Sequence, residues 1–513
     1  AFALWDRRER RLSLVRDAAG IKPLYWAEAG ACVLFGSELK PLRCHPDFDA
    51  TIDRDAVFSL LRHNYVKGPR TIHAGARKLA PGEVLEIEAS GTRRSWRFRE
   101  SWQSVRPDPA AGSGDPDALL DELEAVLADA VKRQMISDVP IGCFLSGGID
   151  SSLMAALMQR QANAPVSTFT IGFHEPGFDE AEHAKAIAAH LGTRHTELYV
   201  DPVHCRETIP DLPGIYDEPF ADMSQIPTLL LSRMTRRDVT VAISGDGGDE
   251  GFAGYARYQW ALRFRRLRDR LGPGLSRTAA ALMHAAPVPA WNALTGWRQP
   301  GPRLGERLHK IGYLLAGETP CRLYDHLLAQ WDEPQGTALG GQDYDGYVTA
   351  ARIHGEISDY QAFMQASDMA GYLPDGILTK VDRASMSVGL EARVPLLDDE
   401  VLAFLSRLPA GLCVAEGRGK VALRRLLCRH VPRELVDRPK HGFSVPMGAW
   451  LRGELRDWAE DLLSERRLRE DGLLDPGAIR RLWRQHLAGQ ANYQYQLWGP
   501  LMLQAWLREQ RVP

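Results

Sequence analysis

"FLSGGIDSS", residues Phe144 to Ser152, reads as a phosphate-binding loop without its lysine. The run before it, "VPIG", is short and apolar like a strand, and the run after it, "LMAALM", is helix-forming. Two glycines and several serines let backbone N–H groups and hydroxyls approach phosphate oxygens at a helix N-terminus. A Walker loop carries Lys where this stretch carries Asp150. A carboxylate repels phosphate, so it points to a bridging Mg²⁺, which takes carboxylate and phosphate oxygens together. A second loop of like composition, "SGDGGDE", spans Ser244 to Glu250. Asp150 and Asp249 therefore form a candidate metal pair. Loops that hold pyrophosphate through backbone, hydroxyls and metal suit cleavage between the α and β phosphates of ATP. One Gly-Asp turn alone is most often only a turn; two such loops at successive strand ends carry the reading.

Outward from the first loop, strand-like and helix-like runs alternate. "VPIGCFLS", "VSTFTIGF", "HTELYV" and "VTVAISG" read as strands. "SSLMAALMQRQ", "DEAEHAKAIAAHLG" (with Gly192 as its C-cap) and "IPTLLLSRMTRR" read as helices. The strands are near-continuous apolar runs, which fits a parallel sheet covered on both faces. In such sheets ligands bind outside the carboxyl ends of the strands, where both loops lie. Upstream, "LLDELEAVLADAVKRQM" carries a helical apolar stripe, and beyond residue 256 the pattern turns largely helical. Residues 1–105 alternate apolar and polar with period two in "RLSLVRD", "PLYWAE", "ACVLFGSE", "EVLEIEAS" and "SWRFRE", a mostly β region. The Pro-, Gly- and Asp-rich stretch 106–118 has linker composition. The expected organisation is a β-rich region over 1–105, a linker over 106–118 and an α/β domain with a helical C-terminal part over 119–513.

Composition bounds the partners. The 513 residues carry a net charge of -3, with 44% hydrophobic and 25% charged, which gives no sign of nucleic-acid or membrane partners. The basic run "RFRRLRDR", Arg263 to Arg270, reads as a solvated helix face. No apolar run is long enough to span a bilayer. Seven cysteines without metal spacing read as reduced, mostly buried thiols of a cytoplasmic protein. His174, His183, His190 and His195 are not at metal-ligand spacing either. The chain starts at Ala1 inside an apolar run, so it reads as the remainder of something longer.

"SGGIDSS" is also the signature of PP-loop ATP pyrophosphatases. With "YDEPFAD" (216–222), "YLPDGILTKVDRASMSVGLEARVPLLD" (372–398) and "RPKHGFSVP" (438–446), the chain resembles the glutamine-hydrolysing asparagine synthetase family over nearly its whole length. "AFALWD", "RDAAGIKPLYW" and "GSELKPL" resemble the later strands of that family's Ntn-type glutaminase domain. The resemblance implies a carbon–nitrogen ligase with glutamine as amido donor. It would adenylate the side-chain carboxylate of aspartate with ATP and Mg²⁺, and ammonia would attack the acyl-adenylate. It implies that Ser146, Gly147, Gly148, Asp150, Ser151 and Ser152 hold pyrophosphate. Leu145 and Ile171 would line the adenine side, and Ser244 and Gly245 would contact the nucleotide. Asp150 and Asp249 would hold Mg²⁺, and Lys440 would meet phosphate charge as it builds. A homodimer is allowed.

Asp246 stands where the family's best-studied members carry Glu, which draws the carboxylate back by about 1.5 Å. It marks either a paralogous branch with an altered acceptor acid, such as a saccharide or secondary-metabolite acid, or drift without consequence. Arg393 and Asp398 are candidates for the acceptor-acid side, with a structural ion pair as the alternative. Lys420, in "EGRGKVALRR", could reach phosphate or be solvated, and solvated is the favoured reading; the Cys32 thiol reads as packed in a strand. The family's glutaminase nucleophile is an N-terminal Cys, and residue 1 here is Ala, so no glutaminase nucleophile is expected in this chain. Two other classes stay open: a PP-loop enzyme on another substrate, such as a β-lactam synthetase or a tRNA-modifying enzyme, and a non-catalytic nucleotide-binding remnant. The β-lactam relatives carry Tyr at the place of Asp246, which counts against them.

Overall fold

The computed structural model describes residues 1–108, 115–173, 181–294, 304–317, 319–332, 334, 336–344, 350–437 and 445–510. The N-terminal region is built as the period-two pattern requires. Strands β1 (Phe2–Asp6), β2 (Arg11–Val15), β3 (Tyr25–Ala29), β4 (Cys32–Gly36), β5 (Ala76–Lys78), β6 (Glu83–Glu88) and β7 (Arg93–Arg97) form two antiparallel sheets. Their orders are β1-β2-β6-β7 and β4-β3-β5. The register pairs Leu14 with Leu85 and Leu12 with Ile87, so the alternate apolar residues share one face. That face packs with Leu24 and Leu79 into a small core. The region is less purely β than its sequence suggests. The helix Arg54–His63 crosses it, capped by Asp53, whose side chain accepts from the N–H groups of Asp55 and Ala56.

A further sheet holds β8 (Ile141–Phe144), β9 (Ser167–Phe173), β10 (Arg194–Val200), β11 (Val241–Ile243) and β12 (Glu391–Arg393), all parallel. Strand order is β10-β9-β8-β11-β12. Helices cover both faces, which is why the central strand β11 is apolar throughout, while the outer strands β10 and β12 carry charged residues. The helices Pro116–Gln134, Ile149–Gln161 and Val421–Leu427 bury Leu127, Leu153 and Leu423 in one core. The helix Gln225–Thr235 closes the other side, where Leu231 and Met234 meet Phe169 and Ala242. Pro116 starts its helix after the N-cap Asp115, so the end of the stretch read as a linker forms the first helical turn. The C-terminal part is helical, ending in Gln494–Gln510, whose Leu497, Trp498 and Trp506 pack with Phe58 and Leu61 of the N-terminal helix.

The N-terminal region joins the parallel-sheet region through buried charge. Lys78 Nζ lies 2.7 Å from Glu218, with all three of Lys78, Glu218 and Asp375 buried. Asp375 accepts from Gly68 N–H at 2.7 Å, and Arg383 donates to Ser37 O at 2.7 Å. Lys22 pairs with Asp382 at 2.9 Å, and the Asp217 carboxylate accepts from the N–H groups of Leu39 and Lys40.

The cysteines depart from expectation. Cys143, Cys205 and Cys413 are buried, Cys321 is intermediate, and Cys32, Cys44 and Cys428 are exposed. Cys32 is exposed because it starts an outer strand of the small sheet. Among the described residues, no helix is long and apolar enough to cross a membrane, and no group of three or more His, Cys, Asp or Glu is placed to hold a metal.

Candidate active site

The sheet order places the two loops together. From β8 the chain winds outward to β9 and β10, then returns to lay β11 on the other side of β8. The direction of winding therefore reverses between β8 and β11, and the crevice at such a switch point is where doubly wound sheets take their ligands. Loop 145–148 leaves the carboxyl end of β8, and loop 244–247 leaves that of β11. The glycines let the loops touch. A Cβ on Gly245 would lie 2.8 Å from Ser151 N, and one on Gly248 would lie 2.5 Å from an Asp150 carboxylate oxygen. Any larger residue would push the loops apart.

Within the first loop the hydroxyls are interlocked. Ser146 Oγ and Ser151 Oγ lie 3.0 Å apart, Ser146 N–H donates to Ser151 Oγ at 3.2 Å, and Gly148 N–H donates to Ser146 Oγ at 3.2 Å. Gly147 takes φ of 71°, the left-handed region. Ser152 is buried in the first turn of the helix Ile149–Gln161, and its hydroxyl has no hydrogen-bond partner among the described residues. Asp150 occupies the same first turn.

Lys420 is not solvated. It is 4% exposed, and its ammonium is bonded to Asp150 and lies 2.8 Å from Asp249. The carboxylates are themselves 16% and 19% exposed. Burial by itself pushes the Lys420 ammonium down, but the two carboxylates outweigh it and hold it above the ordinary lysine value. Lys420 also adopts φ of 57°, which is uncommon for a residue with a Cβ. A Cβ on Gly254 would collide with both Asp249 and Lys420, so glycine is required beside the pair. Sequence reasoning missed Lys420 because its partners are remote in the chain; the "GRGK" turn was its only local signal. Asp150 and Asp249 thus converge on one cation, the Lys420 ammonium.

Asp246 accepts a hydrogen bond from Ser244 Oγ, and Ser244 N–H donates to Arg393 O at 2.8 Å across the β11–β12 ladder. Burial raises the Asp246 carboxyl above the usual range against the pull of Ser244 and Lys380. Leu145 and Ile171 are fully buried, backing the loops from two apolar cores. The structure does not bring Arg393 and Asp398 together. The Arg393 guanidinium binds Glu391 and the carbonyls of Gln134 and Ile136 at the end of the long helix. Asp398 caps the helix Asp399–Leu405 and pairs with Arg133 at 2.7 Å. Lys440 lies outside the described residues, as does His174. His190 Nε2 donates to His430 O at 2.9 Å, and His195 Nδ1 shares a hydrogen bond with Thr168 Oγ1 at 2.9 Å.

The asparagine synthase family matches residues 122–508, and the glutamine amidotransferase domain matches residues 1–99. A putative glutamine-hydrolysing asparagine synthetase of Mycobacterium tuberculosis is 34% identical over 511 residues, covering 99% of this chain and 76% of the relative. The glutamine-hydrolysing asparagine synthetase 1 of Bacillus subtilis is 30% identical over 518 residues, with the same coverage of 99% and 76%. "Amidase chyE" of Penicillium rubens is 24% identical over 514 residues, covering 93% and 73%. An amidotransferase domain joined to a synthase domain defines a glutamine-dependent carbon–nitrogen ligase. The chain belongs to the asparagine synthase family.

Proposed function

We propose that this chain catalyses ATP-dependent amide formation on the side-chain carboxylate of aspartate, releasing AMP and pyrophosphate. The observation that carries the reading is the crevice between β8 and β11, where Asp150 and Asp249 meet at one cation beneath a loop of serines and glycines. Bound Mg²⁺ would neutralise phosphate charge there. Ser146, Gly147, Gly148, Ser151 and Ser152 would orient the pyrophosphate, with Ser244 and Gly245 beside the nucleotide and Leu145 and Ile171 behind its base. The substrate carboxylate attacks the α-phosphorus, forming an O–P bond as the bond to the bridging oxygen breaks. Ammonia then attacks the acyl carbon, and AMP leaves with the electron pair. Asp246, its carboxyl raised by burial, is suited to take the proton that the nitrogen loses. Lys440 would meet charge on the leaving pyrophosphate.

A second acceptor acid is favoured by one observation, the shorter carboxylate at Asp246 in place of the family's Glu. The test is a product assay with ATP, ammonium chloride and L-aspartate. AMP and pyrophosphate in equal amounts are expected, lost in Asp150→Asn and Asp249→Asn while circular dichroism is unchanged. ADP as the nucleotide product would refute the reading.

A further inference from the structure

The turn that carries Asp249 is held by a residue from a separate helix. The helix Gly248–Gly251 is only four residues long. Ala253 ends it with φ of 55°, the left-handed region. A continued helix would bring the N–H groups of Gly254 and Tyr255 to the carbonyls of Glu250 and Gly251. Instead, Gly254 N–H turns back to Asp249 O at 2.8 Å. Glu250 and Gly251 are both buried, so their carbonyls need donors from elsewhere in the protein. Gln365 supplies both. Its Nε2 donates to Glu250 O at 2.9 Å and to Gly251 O at 2.8 Å, one amide proton to each. Gln365 lies on the helix Tyr360–Ser367 and is buried. Its Oε1 accepts from Gln361 Nε2 at 3.4 Å, which keeps the NH2 end of the amide toward the turn.

Lys420 grips the same turn. Its N–H donates to Phe252 O at 3.0 Å, and its ammonium lies 2.8 Å from Asp249. The chain beside it is pressed close, since a Cβ on Gly419 would lie 2.3 Å from Ala253 O. One residue is a pivot, and a second grip from another helix fixes rotation about it. We propose that Gln365 is a positioning residue for the reaction: its amide sets the direction in which Asp249 presents its carboxylate beside Asp150 and Lys420. The proposal rests on the adenylation reading. Gln365 touches no reacting group itself. Without its two donors, the buried carbonyls of Glu250 and Gly251 are left unpaired, and the turn regains hydrogen bonds by rotating them toward water. That rotation carries Asp249 with it, and a misplacement of about 1 Å costs about a hundredfold in rate. Asp249 serves the nucleotide phosphates in the adenylation reading, so the loss falls on turnover rather than on affinity for the acceptor acid.

The test uses the full chain with ATP, ammonium chloride and L-aspartate, well below its unfolding temperature. Pyrophosphate release and amide hydrogen exchange are measured side by side. Gln365→Met keeps the side-chain length and removes both donors. It is expected to lower kcat about ten- to a hundredfold, with KM for L-aspartate changed less than about twofold. Exchange in segment 244–254 should accelerate about tenfold or more, while segment 146–153 exchanges as in the wild type. Gln365→Asn keeps the amide one methylene short, reaches one carbonyl at most, and should give an intermediate kcat; it carries the test if Gln365→Met does not fold. A lower unfolding temperature with unchanged kcat would overturn the proposal in favour of a purely structural bond. A rise in KM for L-aspartate that accounts for the whole loss would overturn it too. If the wild-type chain releases no pyrophosphate with aspartate, the functional reading fails and exchange decides the grip separately. Acceleration confined to 244–254 upholds the hold of Gln365 on the Asp249 turn, and exchange at the wild-type rate overturns it.

Discussion

Replacing Lys420 with Met keeps the length of the side chain and removes its charge. The consequence follows from what surrounds it. Asp150 and Asp249 converge on the Lys420 ammonium, which is 4% exposed, so each loses its nearest counter-charge and faces the other. Removing one partner of a buried ion pair costs about 3–5 kcal/mol, because a charge is left uncompensated out of water. These carboxylates retain some solvent access, which places the expected cost near the lower end, about 3 kcal/mol. The cost is local to the crevice and is best read as local opening. Amide hydrogen exchange in segments 146–153 and 244–254 should accelerate about a hundredfold in Lys420→Met, the rate equivalent of that free energy. Millimolar Mg²⁺ should slow exchange more in the variant than in the wild type, since a cation bound only by the closed form stabilises it by mass action. In the double variant Lys420→Met/Asp150→Asn the effects should fall short of additive, because the residues share one contact. Exchange within twofold of wild type, with no response to Mg²⁺, would refute the claim that this lysine balances the two carboxylates.

Gly248→Ala places a methyl group 2.5 Å from an Asp150 carboxylate oxygen, so pyrophosphate release should fall at least tenfold with circular dichroism unchanged; wild-type turnover would show that the loops need not touch. Acid stability should depend on His73 and His486, both buried, whose imidazoles are pushed down to about 4 by burial. The unfolded chain takes up these protons near pH 6.5 and the folded chain only near 4, so stability is present above 6.5 and is lost as pH falls from 6.5 through 4. Each contributes on the order of 3 kcal/mol at most. Thermal denaturation from pH 7 to pH 4 should show a shallower decline in His486→Gln than in wild type, and parallel curves would count against this origin.

The long apolar strands and both chemical loops were legible in the sequence because each is decided by neighbours a few residues away. "SGGIDSS" and "SGDGGDE" announced their composition locally, and Gly192 ends its helix in the left-handed conformation as its position suggested. Strand β12 was not legible: three residues of "EARVP" carry no periodicity, and only pairing with β11 makes them a strand. The helix Arg54–His63 was hidden among alternating strands, although Asp53 supplies its cap. Lys420 was read as solvated because the residues that bury it are far off in the chain; Asp150 is 270 positions away. Arg393 and Asp398 sit in a motif that suggests function, but each is absorbed by capping and pairing with nearby helices.

The buried charges between the β-rich and parallel-sheet regions bear on modularity. A covalent boundary falls between residues 99 and 122, where the two family matches end and begin. Among the described residues, buried contacts cross that boundary. Separating the pieces there would strand Glu218 and Asp375 without Lys78, and Arg383 without the carbonyl of Ser37. Swapping in a foreign amidotransferase region would need matching groups at each of these points. The two parts are therefore expected to change together over evolutionary time, and a recombination event between residues 99 and 122 would be selected against by the interface before any loss of chemistry was felt.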